Sequence, residues 1–166
     1  MIKKDILLFA PELGGGGVEK NLFLIANYFS KKFQKVSVIS ASPEYKNKFD
    51  KNIKFISPQS KFFTKTNNRR LKIIVSLFLL IKHYFINPKF TVLSFKGNLY
   101  CCVICKILGI KVILRSNASI TGWSKGFVKH FFYKSISKMA DKIIVNSLEF
   151  KKEYKKRFNV QTYCIY

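Results

Sequence analysis

The chain has 166 residues, of which 48% are hydrophobic, and its 31 basic and 8 acidic residues give a net charge of +23. This length and composition predict one ordinary folded domain and exclude a disordered chain. The charge favours an anionic partner: nucleic acid, an anionic membrane surface or a phosphorylated substrate. The alternative is the bias of an AT-rich genome, because nearly all the basic residues are lysine and Asn, Ile, Phe and Tyr are abundant.

Four glycines, Gly14, Gly15, Gly16 and Gly17, follow an apolar strand and lead into an amphipathic helix. A helix start offers unpaired N–H groups and a partial positive charge, and glycines let a ligand approach the backbone. We therefore predict a phosphate or diphosphate contact here, with a plain structural turn as the alternative. The glycines lack a following Lys-Ser or Lys-Thr pair, and no acidic residue ends the second strand. The P-loop and the full dinucleotide fingerprint are thus both incomplete.

Short apolar strands alternate with longer helical patterns along the chain. This rhythm predicts an α/β fold, namely a Rossmann-like, doubly wound, mainly parallel sheet with helices on both faces. The loop between the third strand and the next helix covers 59–68. Strands are predicted at 4–10, 35–40, 53–56, 90–95, 110–114, 143–145 and 162–166, and helices at 18–32, 69–86, 98–108, 125–138 and 147–157.

Ligands of such sheets bind outside the carboxyl ends of the strands. Besides the glycine loop, the segments 95–98, 115–119 and 146–147 follow predicted strands and are expected to meet at that edge. The polar residues that these segments offer for binding are Lys96, Asn98, Arg115, Asn117 and Ser119.

Several other residues have both a functional and a structural interpretation. Cys101 and Cys105 share a helix face and form a conceivable metal pair, but no histidine or further CxxC completes a site, so buried thiols are favoured. His83 and His130 lie in helical stretches with aromatic neighbours, which favours ordinary packing over catalysis. Cys102 and Cys164 complete the cysteine set.

Two patterns bear on membranes. The apolar run 73–81 is about half the length needed to span a bilayer, so it is either a buried helix, which we favour, or a segment lying along a membrane surface. Four lysines fall roughly along one helix face, either as a solvated stripe or as a contact for anionic lipid or a lipid-diphosphate acceptor. These lysines are Lys125, Lys129, Lys134 and Lys138.

Three stretches, 14–19, 140–147 and 160–166, carry a resemblance that extends over essentially the whole chain. In their order and spacing they resemble the amino-terminal half of a family 4 glycosyltransferase of the GT-B fold. The resemblance implies transfer of a sugar, with retained configuration, from a nucleotide-sugar donor to a surface-polysaccharide or lipid-linked glycan acceptor. It also implies that no metal or other cofactor is needed.

Residue roles follow from the same resemblance. The glycine loop would lie in an interdomain cleft, with the backbone of Gly15, Gly16 and Gly17 near the donor diphosphate or the acceptor. Asn117 stands about where many relatives carry a histidine, and an amide cannot act as an acid or base near neutral pH. Arg115 either clamps a phosphate or pairs with a carboxylate such as Asp141, and Trp123 either stacks on a sugar or anchors the core.

The resemblance further implies a second, donor-binding Rossmann-like domain with two glutamates eight positions apart. No such pair occurs in these residues, so we expect 1–166 to be the acceptor-side domain, as a fragment or half of a split enzyme that is inactive alone. The start of the chain lacks a secretory signal pattern, which predicts a cytoplasmic protein. The lysines of the predicted helix 125–138 add the expectation of peripheral contact with the inner face of an anionic membrane. The alternative function is a non-enzymatic basic module that binds anionic membrane or nucleic acid, the latter being the less favoured partner.

Overall fold

A computed structural model describes residues 2–117, 119–120 and 126–165. Strands and helices alternate through them. The strands are β1 (Ile2–Phe9), β2 (Phe33–Ile39), β3 (Lys54–Ile56), β4 (Phe90–Ser94), β5 (Lys111–Ser116), β6 (Lys142–Val145) and β7 (Tyr163–Cys164). The α-helices are α1 (Gly17–Ser30), α2 (Lys61–Lys65), α3 (Arg69–Ile86), α4 (Asn98–Ile107), α5 (Phe127–Met139) and α6 (Leu148–Phe158), and a short 3-10 helix covers Pro43–Lys48.

The seven strands form one sheet in the order β3-β2-β1-β4-β5-β6-β7, and every neighbouring pair is parallel. Strands that are buried on both faces have continuous apolar runs in their sequence, as in Ile6 to Phe9. These runs are the reason why the sequence pattern predicts a parallel sheet here. The predicted Rossmann-like α/β fold is confirmed.

Two apolar cores cover the two faces of the sheet. One contains Leu22 and Ala26 of α1 together with Phe49 and Ile53 from the segment before β3. The other packs α3, α4, α5 and α6 against the opposite face, and its largest buried members include Leu80 and Phe158. Helix α1 therefore leaves β1 toward one face, whereas α4 leaves β4 toward the other.

Strand order reverses between β1 and β4, which lie side by side with Phe9 opposite Ser94. Because the chain leaves these two strands toward opposite faces, a crevice opens at their carboxyl ends. Such a position is where open α/β sheets bind ligands, and it locates the site described below.

The cysteines and histidines are packing residues in this fold. Cys101, Cys102 and Cys105 are fully buried, which confirms the predicted buried thiols, and the Sγ atoms of Cys101 and Cys105 are 3.9 Å apart. Burial lowers the pKa of His83, whose ring packs 5.1 Å from that of Phe90. The ring of His130 lies 5.2 Å from that of Phe158.

The structure differs from the predicted elements in two places. The predicted loop 59–68 contains the short helix α2, and the turn after β2 is a 3-10 helix. The apolar run 73–81 lies within α3, where Leu80 is fully buried but Ile74 and Phe78 remain exposed. Among the described residues, no helix has the length and hydrophobicity that crossing a bilayer requires.

Helix α3 contains a buried hydroxyl whose removal should stabilise the fold. Ser76 is fully buried, and its Oγ atom has no hydrogen-bond partner in the described part of the chain. Ser76→Ala removes an unsatisfied polar group and introduces a better helix former. We expect the free energy of unfolding to rise by roughly 1 kcal/mol, as measured by urea denaturation.

Ser30→Ala is the matched control with the opposite sign. The Ser30 hydroxyl lies 2.8 Å from the carbonyl oxygen of Asn27 and 2.9 Å from a carboxylate oxygen of Asp50. Its removal should lower the free energy of unfolding by roughly 1 kcal/mol. Equal effects of the two substitutions would contradict the distinction between a satisfied and an unsatisfied hydroxyl.

Candidate functional site

A cavity of about 570 Å³ opens at the carboxyl ends of β4 and β5, beside the point where strand order reverses. Most of its lining residues belong to three groups. The first lies at or directly after the ends of the two strands, the second at the start of α3, and the third on the inward-facing sides of α5 and α6. Its polar and charged lining residues are Arg69, Arg70, Lys96, Asn98, Tyr100, Arg115, Ser116, Asn117, Tyr133, Ser137 and Tyr154.

Arg115 provides a buried positive charge in this cavity. It is only 9% exposed, and its Nη1 atom has no hydrogen-bond partner among the described residues. The guanidinium carbon lies 5.2 Å from the ring centroid of Phe95, so an aromatic face covers part of the cation. Burial lowers the pKa of Arg115, yet a guanidinium stays charged at any physiological pH.

The carboxylate suggested as an alternative partner for Arg115 is engaged elsewhere. Asp141 accepts hydrogen bonds from Lys106 Nζ at 2.6 Å and from the Val112 N–H at 2.8 Å. Burial opposes ionisation of Asp141, but these bonds leave its pKa lowered. Within residues 2–117, 119–120 and 126–165, Arg115 forms no salt bridge, so the pairing with Asp141, which was the alternative to a phosphate contact, is not formed.

The start of α4 also faces the cavity. Gly97 precedes this helix in a left-handed conformation, with φ of +70°, and no side chain caps the first turn. Asn98, Leu99 and Tyr100 of that turn line the cavity. The unpaired N–H groups and partial positive charge of a helix start therefore lie on the same cavity as the Arg115 guanidinium, and both favour an anion.

Asn98 fixes the two strand ends relative to each other. Its side-chain oxygen accepts a hydrogen bond from the Ser94 hydroxyl at 2.8 Å, and its amide nitrogen donates to the Arg115 carbonyl at 2.9 Å. Asn98 was predicted to bind substrate, and it lies on the cavity. Its hydrogen bonds join the ends of β4 and β5 and so hold the backbone of Arg115 in place.

The carboxylate of Glu19 packs beside the backbone of the glycine loop, a contact that was not predicted. Glu19 is almost fully buried and pairs with Lys96, and its oxygens lie 3.8 Å and 2.9 Å from where a Cβ would sit on Gly14 and Gly16. Burial raises the pKa of Glu19, but the bond to Lys96 and the N–H groups of Glu19 and Gly14 outweigh it and leave the pKa lowered.

This carboxylate is where the sequence analysis expected a phosphate, and two negative groups repel each other. Gly15, Gly16 and Gly17 are exposed, with open space beside Gly15 and Gly17, but none of the four glycines is among the described residues that line the cavity. A ligand contact of the glycine loop stays a prediction, and Lys96 reaches the cavity with its charge already paired.

The remaining predicted residues fall in three different situations. Asn117 lines the cavity and is half-buried. The Ser119 hydroxyl hydrogen-bonds to the Glu153 carboxylate at 3.0 Å, and the Ile120 N–H donates to the same group. Trp123 lies outside the described residues, as does Lys125.

Three helices contribute residues to the cavity that no local sequence pattern predicted. Arg69 and Arg70 reach the cavity from the start of α3, where Asn68 caps the helix by accepting from two N–H groups. Tyr133 and Tyr154 reach it from α5 and α6, and burial raises the pKa of both phenols. The one available signal was the arginine pair directly after a capping asparagine. Among the described residues, no group of three His, Cys, Asp or Glu side chains is placed to hold a metal ion.

No protein-family model and no curated protein sequence matches this chain. Solved structures do. Alr3699/HepE from Anabaena, in complex with UDP, superposes with a TM-score of 0.64 at 13% identity over 98% of this chain. The lipopolysaccharide outer core galactosyltransferase WaaB gives 0.55 at 14% over 93%, and a protein described as a UDP-N-acetylglucosamine 2-epimerase from Listeria monocytogenes gives 0.58 at 10% over 92%.

The chain spans only 42–43% of the length of these three structures. Its fold is that of an amino-terminal domain of GT-B glycosyltransferases. At such low identity the likeness concerns the fold alone, and an epimerase among the similar structures shows that this fold does not determine the reaction.

The pair formed by Glu19 and Lys96 makes a prediction about acid stability. Because the folded-state pKa of Glu19 is lowered, its stabilisation is complete above the ordinary value of 4.5 and is lost as the pH falls below that value. Glu19→Gln should therefore lower the free energy of unfolding at pH 7 by roughly 2 kcal/mol. The gap between the two proteins should narrow on acidification, in urea denaturation between pH 7 and pH 3.

Glu12→Gln is the control, because Glu12 is more exposed and lies 4.0 Å from the exposed Arg69. A pair of this kind contributes little, so this variant should unfold like the wild type. A constant gap between wild type and Glu19→Gln across the pH range would contradict the assigned ion pair.

Proposed function

We propose that this chain is the acceptor-side domain of a family 4 glycosyltransferase of the GT-B fold. The enzyme would move a sugar, with retained configuration and without a metal, from a nucleotide-sugar donor to a surface-polysaccharide or lipid-linked glycan acceptor. The observation that carries the proposal is the cavity at the carboxyl ends of β4 and β5, which contains a buried arginine that pairs with no carboxylate of the described residues.

An anionic group of the substrate would bind between Arg115 and the start of α4. A buried charge without a partner is costly, and a phosphate would supply the acceptor atoms that the Arg115 Nη1 atom lacks. The Phe95 ring and the hydrogen bond from Asn98 to the Arg115 carbonyl restrict the arginine before any ligand arrives. Pre-organisation of this kind reduces the ordering cost of binding.

Hydroxyl and amide groups on the other walls would recognise the sugar. Ser137, Tyr133 and Asn117 present donors and acceptors of the kind that bind sugar hydroxyls. Asn117 cannot transfer a proton, so the cavity offers binding and charge stabilisation rather than acid–base catalysis. We propose that donor binding and turnover require a second Rossmann-like domain, and that residues 1–166 alone transfer no sugar. The proposal of a nucleotide-sugar donor is supported by the UDP in the complex of Alr3699/HepE from Anabaena, whose fold is similar.

Anion binding can be tested without any activity. Titration of the chain with inorganic pyrophosphate, followed by NMR, should shift backbone signals of Gly97, Asn98 and Asn117. Arg115→Met should weaken the affinity roughly tenfold or more, because the charge-assisted hydrogen bonds are lost. Unchanged affinity in this variant would remove the main support for the proposal.

Arg157→Met is the matched control. Arg157 lies on α6, 3.9 Å from Glu153, and does not line the cavity. The substitution removes the same charge from the chain and should leave pyrophosphate affinity unchanged. An equal loss in both variants would mean that net charge, not the cavity, determines binding.

The second candidate function, a non-enzymatic basic module, is favoured by the net charge of +23. Filter binding of duplex DNA and of RNA at 50 mM and 200 mM salt separates the two. The transferase proposal predicts weak binding without sequence preference that Arg115→Met does not alter. Tight binding whose affinity falls about a thousandfold between these salt concentrations would favour the basic module.

A further inference from the structure

Helix α5 exposes large apolar side chains to solvent. Phe127 is 87% exposed, Val128 66%, Phe131 61% and Phe132 59%. Their spacing of one, four and five residues places them on one side of the helix, and we call these four residues the α5 apolar face. An exposed cluster of large apolar side chains on a folded domain marks an interaction surface.

The neighbouring helix α6, by contrast, presents a mainly charged surface to solvent. It covers the same face of the sheet but buries Tyr154 and Phe158 and directs Lys151 and Lys155 to solvent, as a surface helix ordinarily does. Helix α4, which also packs in this layer, exposes Tyr100 and Ile107 and so adds to the apolar character beside α5.

The charges on α5 indicate what covers its apolar face. Lys129, Lys134 and Lys138 are its charged residues, and the helix contains no Asp or Glu. At 100° per residue, Lys129 lies beyond one edge of the apolar face and Lys134 beyond the other, whereas Lys138 lies just inside the edge near Lys134. An apolar stripe bordered by lysines complements a surface that is negatively charged outside and apolar inside.

We propose that α5 lies along an anionic lipid bilayer, with the α5 apolar face inserted among the acyl chains and the lysines at the head groups. Phenylalanine on one face and lysine beside it are features of interfacial helices, whose binding scales with buried apolar area and with attraction to anionic lipid. The net charge of +23 strengthens the attraction to such a surface.

The same helix lines the cavity with its other side, through Tyr133 and Ser137. A substrate head group in the cavity would thus lie one helix away from the bilayer. On the proposed transferase function, this arrangement favours an acceptor whose sugars reach the cavity while its lipid tail stays in the membrane. The surface assignment itself does not depend on any activity.

Flotation of the purified chain with vesicles tests the proposal. Wild type should float with phosphatidylcholine vesicles containing 30% phosphatidylglycerol and much less with pure phosphatidylcholine. The double substitution Phe131→Ser and Phe132→Ser should lower the partition coefficient roughly tenfold. Its thermal unfolding curve should be unchanged, because both side chains are exposed.

Two matched controls distinguish binding through the α5 apolar face from non-specific hydrophobic or electrostatic binding to vesicles. Phe62→Ser with Phe85→Ser removes two equally exposed rings, 68% and 75%, on other helices and should leave flotation unchanged. Lys129→Glu with Lys138→Glu should reduce flotation more than Lys151→Glu with Lys155→Glu on α6, although both change the net charge equally.

Wild-type flotation of the α5 phenylalanine variant would overturn the proposal, and so would equal binding to neutral and anionic vesicles. Sedimentation equilibrium examines a second copy as the occupant: a dimer that only the α5 variant dissociates, without vesicle binding, also overturns it. Pyrophosphate binding is measured separately in each variant. Loss of flotation with retained pyrophosphate affinity supports the membrane surface. Unchanged flotation with retained pyrophosphate affinity overturns the surface and leaves the proposed cavity function intact.

Discussion

The reversal of strand order between β1 and β4 determines where this protein can bind a ligand. All strands of the sheet run in parallel, so their carboxyl ends share one edge, and the chain leaves β1 and β4 toward opposite faces. No connection can then cover the gap between them. Helix α4 begins at this gap, which means that the direction of the chain, before any side chain is considered, gives the cavity a partial positive potential.

Two buried charges near this edge differ in their partners, and the contrast supports the proposed anion site. Glu19 is paired with Lys96, so its burial is compensated within the domain. Arg115 is also buried, but it has an aromatic face on one side, and its Nη1 atom has no hydrogen-bond partner in the part of the chain that the structure describes. A fold has no stability reason to retain such a group, because a neutral side chain of similar size would avoid the desolvation cost. On the proposed function, a ligand would complete the hydrogen bonds of Arg115 and offset this cost.

Local patterns in the sequence were sufficient for the sheet and for part of the cavity. Buried strands are apolar runs, and polar residues directly after them, such as Lys96, Asn98, Arg115 and Asn117, must lie at the carboxyl edge. The surroundings of the glycine loop could not be predicted in this way. The position of the Glu19 carboxylate beside the loop depends on the rotamer of Glu19 and on Lys96, which is 77 residues away in sequence. Arg69 and Arg70 were missed for a similar reason: they arrive from a crossover helix whose packing against β4 and α4 no local pattern specifies.

The two sides of α5 place a geometric limit on the substrate. An α-helix with its side chains is about 10–12 Å across, so a cavity lined by Tyr133 and Ser137 lies about that far from a bilayer touched by Phe131 and Phe132. In a lipid-linked glycan the phosphates are joined to the lipid and the sugars lie beyond them, so the sugars are the part that would cover this distance. The proposed surface is therefore compatible with a lipid-linked acceptor whose sugars enter the cavity while its phosphates stay at the head-group level. On this arrangement the anion proposed to bind Arg115 would belong to the nucleotide-sugar donor.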